Sequence, residues 1–230
     1  MVRDQEVQEK QAVADFLKYE FWPQLQEKTE CPYQVIAAIL AWTESQTFLT
    51  RKLCQLVCAD KTSPIVRGKA TSRITQLVRT YFHKDTQDLA IQNHFKGIQD
   101  SLLQNDGPDR LWCLIKYRQI WQNQELSDDG SFEHKKLLDS GIIAERDGKL
   151  RVHNSIYKSV FNLSWLALKF SGLRPYTTQK LVNWLESNQH ESHLLRGQEL
   201  AVALEWAYSQ EGNLPEQEYD FLSESKIRHS

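Results

Sequence analysis

The stretch SGIIAERDGKLRVHNSIYKSVF, residues 140–161, constrains the fold of this chain more than any other. Two short runs containing branched apolar residues, Ile142-Ile143 and Leu150-Arg151-Val152, flank Asp147-Gly148. Asp-Gly in that setting selects a two-residue type I′ turn, because both central residues need positive φ. Nearly everywhere else the apolar residues recur at three-four spacing, the period of a helix packed by one face. The expected fold class is therefore mainly α, with one β-hairpin placed centrally.

Helical spacing divides the rest of the chain. Residues 4–22 read as a polar amphipathic helix stopped near Pro23, and 34–45 as a buried helix, apolar on nearly all sides. Residues 47–59, 71–82 and 88–104 follow as helices with one apolar face each. The breaker cluster NDGPD, residues 105–109, predicts the first module boundary. Beyond it come helices at 110–123 and 131–141, the second ending at Gly141 as a C′ glycine, then the hairpin. Helix, turn, helix, hairpin is the order of a winged-helix module with Asp147-Gly148 at the wing tip. One helix over 154–172 is expected next, broken before Pro175, then helices at 177–187, about 192–209 and from near Pro215. Leu194, Gly197, Ala201, Leu204 and Tyr208 step by 3, 4, 3 and 4, which predicts a packing seam on the penultimate helix.

Composition narrows the function classes. With 230 residues there is room for one large domain or two to three small modules, at about 100 to 150 residues each. Hydrophobic content of 40% and seven tryptophans supply ample core, so the chain is not intrinsically disordered. The balance of 28 basic against 30 acidic residues argues against a broad basic surface for non-specific nucleic-acid binding. The opening residues MVRDQEVQEKQAVADFLK alternate charges without an apolar core, so no signal peptide is expected. The longest apolar run, VIAAILAW, falls far short of the ~20 residues of a membrane helix. Reduced cysteines (Cys31, Cys54, Cys58, Cys113) in a cytoplasmic protein with no membrane partner are the resulting expectation.

Chemistry-bearing motifs fail one by one. SPIVRGKAT has the Gly68-Lys69 of a phosphate loop, but Ser63 replaces its first glycine and Ala70 the magnesium-binding hydroxyl. His190 and His193 lie three apart without a second ligand pair, and zinc needs about four protein ligands, or three plus water. Cys54 and Cys58 on an apolar helix read as small buried hydrophobes. Asp128-Asp129 reads as a solvated turn pair, and no nucleophile elbow is present. No catalytic residue, metal site or cofactor is expected. A winged helix raises DNA binding as the alternative. That reading predicts a continuous basic face of Arg110, Lys116, Arg118, Lys135, Lys136 and the wing. Against it, Lys135 and Lys136 on the reading helix are offset by Glu133 and Asp139.

Four stretches carry a resemblance: AILAWTESQTFLTRKLCQLV (38–57), DGKLRVHNSIYKSVFNLSW (147–165), LRPY (173–176) and ESHLLRGQELAVALEWA (191–207). In that order they resemble the C-terminal half of the AAA-like, STAND-type ATPase modules of cyanobacterial multidomain proteins, over about residues 30–225. In that family a P-loop core precedes a helical lid, a winged helix and further helices, and WD-repeat propellers often follow. The resemblance implies an N-terminal helix (1–30), a lid-like bundle (31–105), a winged-helix module (106–165) and a C-terminal helical segment (166–230). The family's lid usually reads GGQPFLTQKLC, with its glycine–proline turn beside the nucleotide. Here Glu44, Ser45 and Thr47 stand at the turn, while Phe48, Leu49, Thr50, Lys52, Leu53 and Cys54 persist. The packing half is kept and the nucleotide-facing half is lost. The P-loop core that would precede residue 30 is not in this sequence, so nucleotide binding is not expected.

The resulting expectation is a non-catalytic regulatory or protein-interaction module, with a partner such as a separate P-loop ATPase or WD-repeat protein. In STAND-type proteins the winged helix docks on the nucleotide-bearing core. That implies Arg146, Lys149, Arg151, His153 and Tyr157 as contact residues; Arg151 and Tyr157 have an equally good reading as structural residues of the hairpin and its base.

Overall fold

The structure, a computed structural model, describes residues 20–62, 64–83, 85–103, 108–170, 172–210 and 214–229, with residues 108–109 described by backbone alone. In chain order it contains α1 (residues 20–28), α2 (Pro32–Thr43), α3 (Thr47–Ala59), α4 (Ala70–Tyr81), α5 (Leu89–Leu103), α6 (Pro108–Trp121) and α7 (Phe132–Asp139). The hairpin β1 (Ile143–Arg146) and β2 (Lys149–Val152) follows, then α8 (Ser155–Val160), α9 (Leu163–Phe170) and α10 (Thr178–Glu186). A 3-10 turn (Glu191–His193), α11 (Gly197–Ser209) and α12 (Glu216–His229) end the described chain. The described residues adopt the expected mainly helical fold with one central hairpin.

The helices and hairpin form two compact units, each drawing on separated segments of chain. The first contains α1–α4, α5 as far as Gln99, residues 141–144 and residues 152–160. Its core is built from Val35, Ile39, Leu49, Leu53, Val57, Ile74 and Ile91, all buried. Helix α2 starts on Pro32, whose fixed φ suits the first helical turn. It ends where Glu44 turns left-handed and its N–H reaches the Leu40 carbonyl. Gln46 then opens α3 by accepting a hydrogen bond from the Leu49 N–H at 2.7 Å. The buried hydroxyls of Thr43 and Thr50, 2.7 Å apart, join the two helices. Helix α8 packs on α2, and α4 packs on both α2 and α3.

The second unit contains residues 100–140, the wing tip 145–151 and everything from Phe161 onward. Helix α6 packs against α7 and α9, α10 against α9 and α12, and α11 against α12. Leu111, Leu114, Tyr117, Leu137, Trp184, Leu195 and Phe221 fill its interior. Tyr117 is buried among them, and its hydroxyl donates to the Phe161 carbonyl at 3.0 Å. Helix α7 is capped by Ser131 and ends before Gly141, which takes φ 71° as a C′ glycine does.

Asp147 and Gly148 have φ of 49° and 73°, the two positive values a type I′ turn requires. The pairing register follows from two backbone contacts. His153 N–H donates to the Ile142 carbonyl at 2.9 Å, continuing the ladder below the strands. Leu150 N–H points away from β1 and donates to the Leu126 carbonyl at 2.8 Å, so the chain after α6 runs along the outer edge of β2.

Three expectations about helices are corrected. The helix around Pro23 does not stop there; it runs to residue 28, with Phe21 and Leu25 buried, while residues 4–19 lie outside the described residues. The expected single helix over 154–172 is two, α8 and α9, because Phe161 is buried and the Asn162 side chain accepts from the Trp165 N–H at 3.0 Å, capping a new start. The expected helix from 192 begins only at Gly197; before it Leu194, in extended backbone, and Leu195 are both buried. The predicted seam is lost with it. Leu200 and Ala203 are the buried residues of α11, while Ala201 and Tyr208 are exposed. The breaker cluster 105–109 lies largely outside the described residues.

Candidate interaction surface

The wing carries its cations in a defined pattern. With a two-residue turn, the residues flanking it face one another, and side chains two apart along a strand share a face. Arg146 therefore lies opposite Lys149, and Arg151 continues the same face of the ribbon. All three belong to the second unit. Arg151 is exposed, and Arg146 and Lys149 are half-buried. Lys149 Nζ donates to the backbone carbonyl of Glu125 at 3.4 Å, a contact that leaves its charge unneutralised. The opposite face holds Leu150, which is buried and anchors the ribbon.

His153 and Tyr157 belong to the first unit and serve its packing. Tyr157 is 2% exposed. Its hydroxyl is hydrogen-bonded to His94 Nε2 at 2.8 Å. The His94 ring stacks on Phe48 with centroids 4.2 Å apart, and the His153 ring stands edge-on to Tyr157 at 5.9 Å. His153 Nδ1 is also 2.9 Å from the Gly141 carbonyl. Burial pushes the His94 imidazole down to about 4, so the ring is neutral at pH 7, and burial raises the Tyr157 phenol above its usual range. Phe48, from the persisting FLT stretch, thus packs through His94 to Tyr157, from the helix after the wing. Of the five expected contact residues, three are cations on the wing, His153 is half-buried and Tyr157 is core.

The basic face that DNA binding predicts is interrupted. Arg118 is held by Glu186 (Nε–Oε1 3.0 Å) and by Gln179, and Lys116 lies 3.9 Å from Asp129. Lys136 sits over the Phe132 ring at 5.6 Å.

The remaining sequence candidates resolve as packing or local structure. Gly68 N–H donates to Gln34 Oε1, and Lys69 precedes the first residue of α4. Cys54 is buried, and burial, with smaller contributions from Cys58 and Glu20, pushes its thiol up to about 12. The other cysteines are also free thiols. His190 precedes the 3-10 turn and His193 is its last residue; His190 Nδ1 pairs with the Ser192 hydroxyl at 2.9 Å. Asp128 and Asp129 are exposed, as a turn pair should be, yet they close on a residue the sequence reading passed over. His134, 1% exposed, places Nδ1 2.8 Å from Asp129 Oδ1 and 3.5 Å from Asp128 Oδ1. One ligand atom from each of the three lies within 4.8 Å of the others. The arrangement ties the 128–131 loop to α7. No sequence motif announces it, because burial of His134 follows from packing.

A cavity of about 590 Å³ in the second unit is lined by Phe170, Arg174, Tyr176, Thr177, Gln179 and Glu199. Its charged groups already have partners. Arg174 is paired with Glu218, and Glu199 accepts from Lys180 Nζ at 2.6 Å and from the Thr177 N–H at 2.8 Å. Among the described residues no helix is long and apolar enough to cross a membrane.

Against known proteins, the chain is 34% identical over 199 residues to an uncharacterized WD repeat-containing protein of Synechocystis sp. (strain PCC 6803). The match covers 84% of this chain and 16% of that relative. No family model and no solved structure matches the chain.

Proposed function

We propose that this chain is a non-catalytic protein-interaction module, regulatory in role and derived from the lid and winged helix of a STAND-type AAA-like ATPase. The observation that carries this reading is the Synechocystis relative. A segment matching most of this chain occupies about a sixth of a WD repeat-containing protein, as expected of a module that works against other domains. The arrangement of α6, α7 and the hairpin, with the chain at Leu126 along the edge of β2, supports a winged helix. The Phe48–His94–Tyr157 stack supports descent from a lid whose packing half was kept. Glu44, Ser45 and Thr47 in place of glycine and proline support loss of nucleotide binding.

The test is binding in trans. The chain should bind the remainder of the Synechocystis relative, produced separately, with a Kd of about 10 µM or tighter by titration calorimetry. No heat of binding at about ten times that concentration would overturn the reading. DNA binding, the alternative, predicts retarded migration of a duplex at low salt, lost steeply as salt rises.

A further inference from the structure

We draw no further inference here: the strongest candidate, the side-chain cluster of Asp128, Asp129 and His134 where the 128–131 loop meets the start of α7, is an acidic pair closed by its own buried histidine, whose Nε2 lacks the hydrogen-bond partner that orients a metal-ligating imidazole, and no second observation points to a ligand there.

Discussion

Arg174 and Glu218, 44 residues apart, form a buried ion pair that fastens α12 to the LRPY turn. Arg174 donates from Nε at 2.7 Å and from Nη2 at 2.9 Å to the two carboxylate oxygens, and the Tyr176 hydroxyl donates to the same carboxylate. The side chains are 6% and 0% exposed, and the guanidinium also lies 5.1 Å over the Trp206 ring. Removing one partner of such a pair leaves the other charge buried and uncompensated, which costs far more than the pair contributes relative to apolar residues. Glu218→Gln should therefore destabilise the protein by about 3–5 kcal/mol in urea unfolding. Glu218→Leu combined with Arg174→Met should recover most of that loss. A loss below about 1 kcal/mol for Glu218→Gln would show that water reaches the site.

His94 gives the stability a pH dependence of definite sign. Its folded value, about 4, lies below the ordinary 6.5, so between those values the unfolded chain binds the proton more readily than the folded one. The contribution is complete above about pH 6.5 and is lost as pH falls toward 4. His94→Phe should flatten the urea midpoint over that window. At pH 7 the same variant should lose about 1–3 kcal/mol, because the buried Tyr157 hydroxyl loses its hydrogen bond to His94. An unchanged slope would assign the pH dependence to other groups.

Glu44 and Ser45 adopt φ of 48° and 67°, left-handed values that cost a side chain about 1–2 kcal/mol. Ser45→Gly should raise stability by about 0.5–1 kcal/mol, the relief being partly offset by the greater freedom of glycine in the unfolded chain. Its urea midpoint should exceed that of the parent. A lower midpoint would mean that the serine makes a contact worth more than the strain.

Millimolar ATP with magnesium should leave the melting temperature unchanged. A ligand that binds only the folded state at 100 times its Kd adds about 2.7 kcal/mol, a shift no melting experiment would miss. A rise in melting temperature would reinstate nucleotide binding despite Glu44, Ser45 and Thr47.

Local chemistry was readable without the structure wherever it acts over a few residues. Helix α3 occupies the expected 47–59, because its cap at Gln46 and its apolar spacing are both short-range. The Asp147-Gly148 turn fell where two positive φ values were required, and strand alternation already places Arg146, Lys149 and Arg151 on one face. The break at Phe161-Asn162 was not readable, because asparagine caps a helix only if the chain has reason to turn there. That reason is the burial of Phe161, whose carbonyl accepts from Tyr117, 44 residues away.

The same division separates the wing from the residues beyond it. By itself the sequence determined the helical class, the hairpin and the facing of its cations, since periodicity and turn sterics depend on neighbours along the chain. Tertiary structure alone decided that Tyr157 is core, bonded to His94 across 63 residues, and that Arg118 is tied to Glu186 while Arg151 is not. Burial and charge pairing depend on which elements meet in space, and no local pattern encodes that meeting.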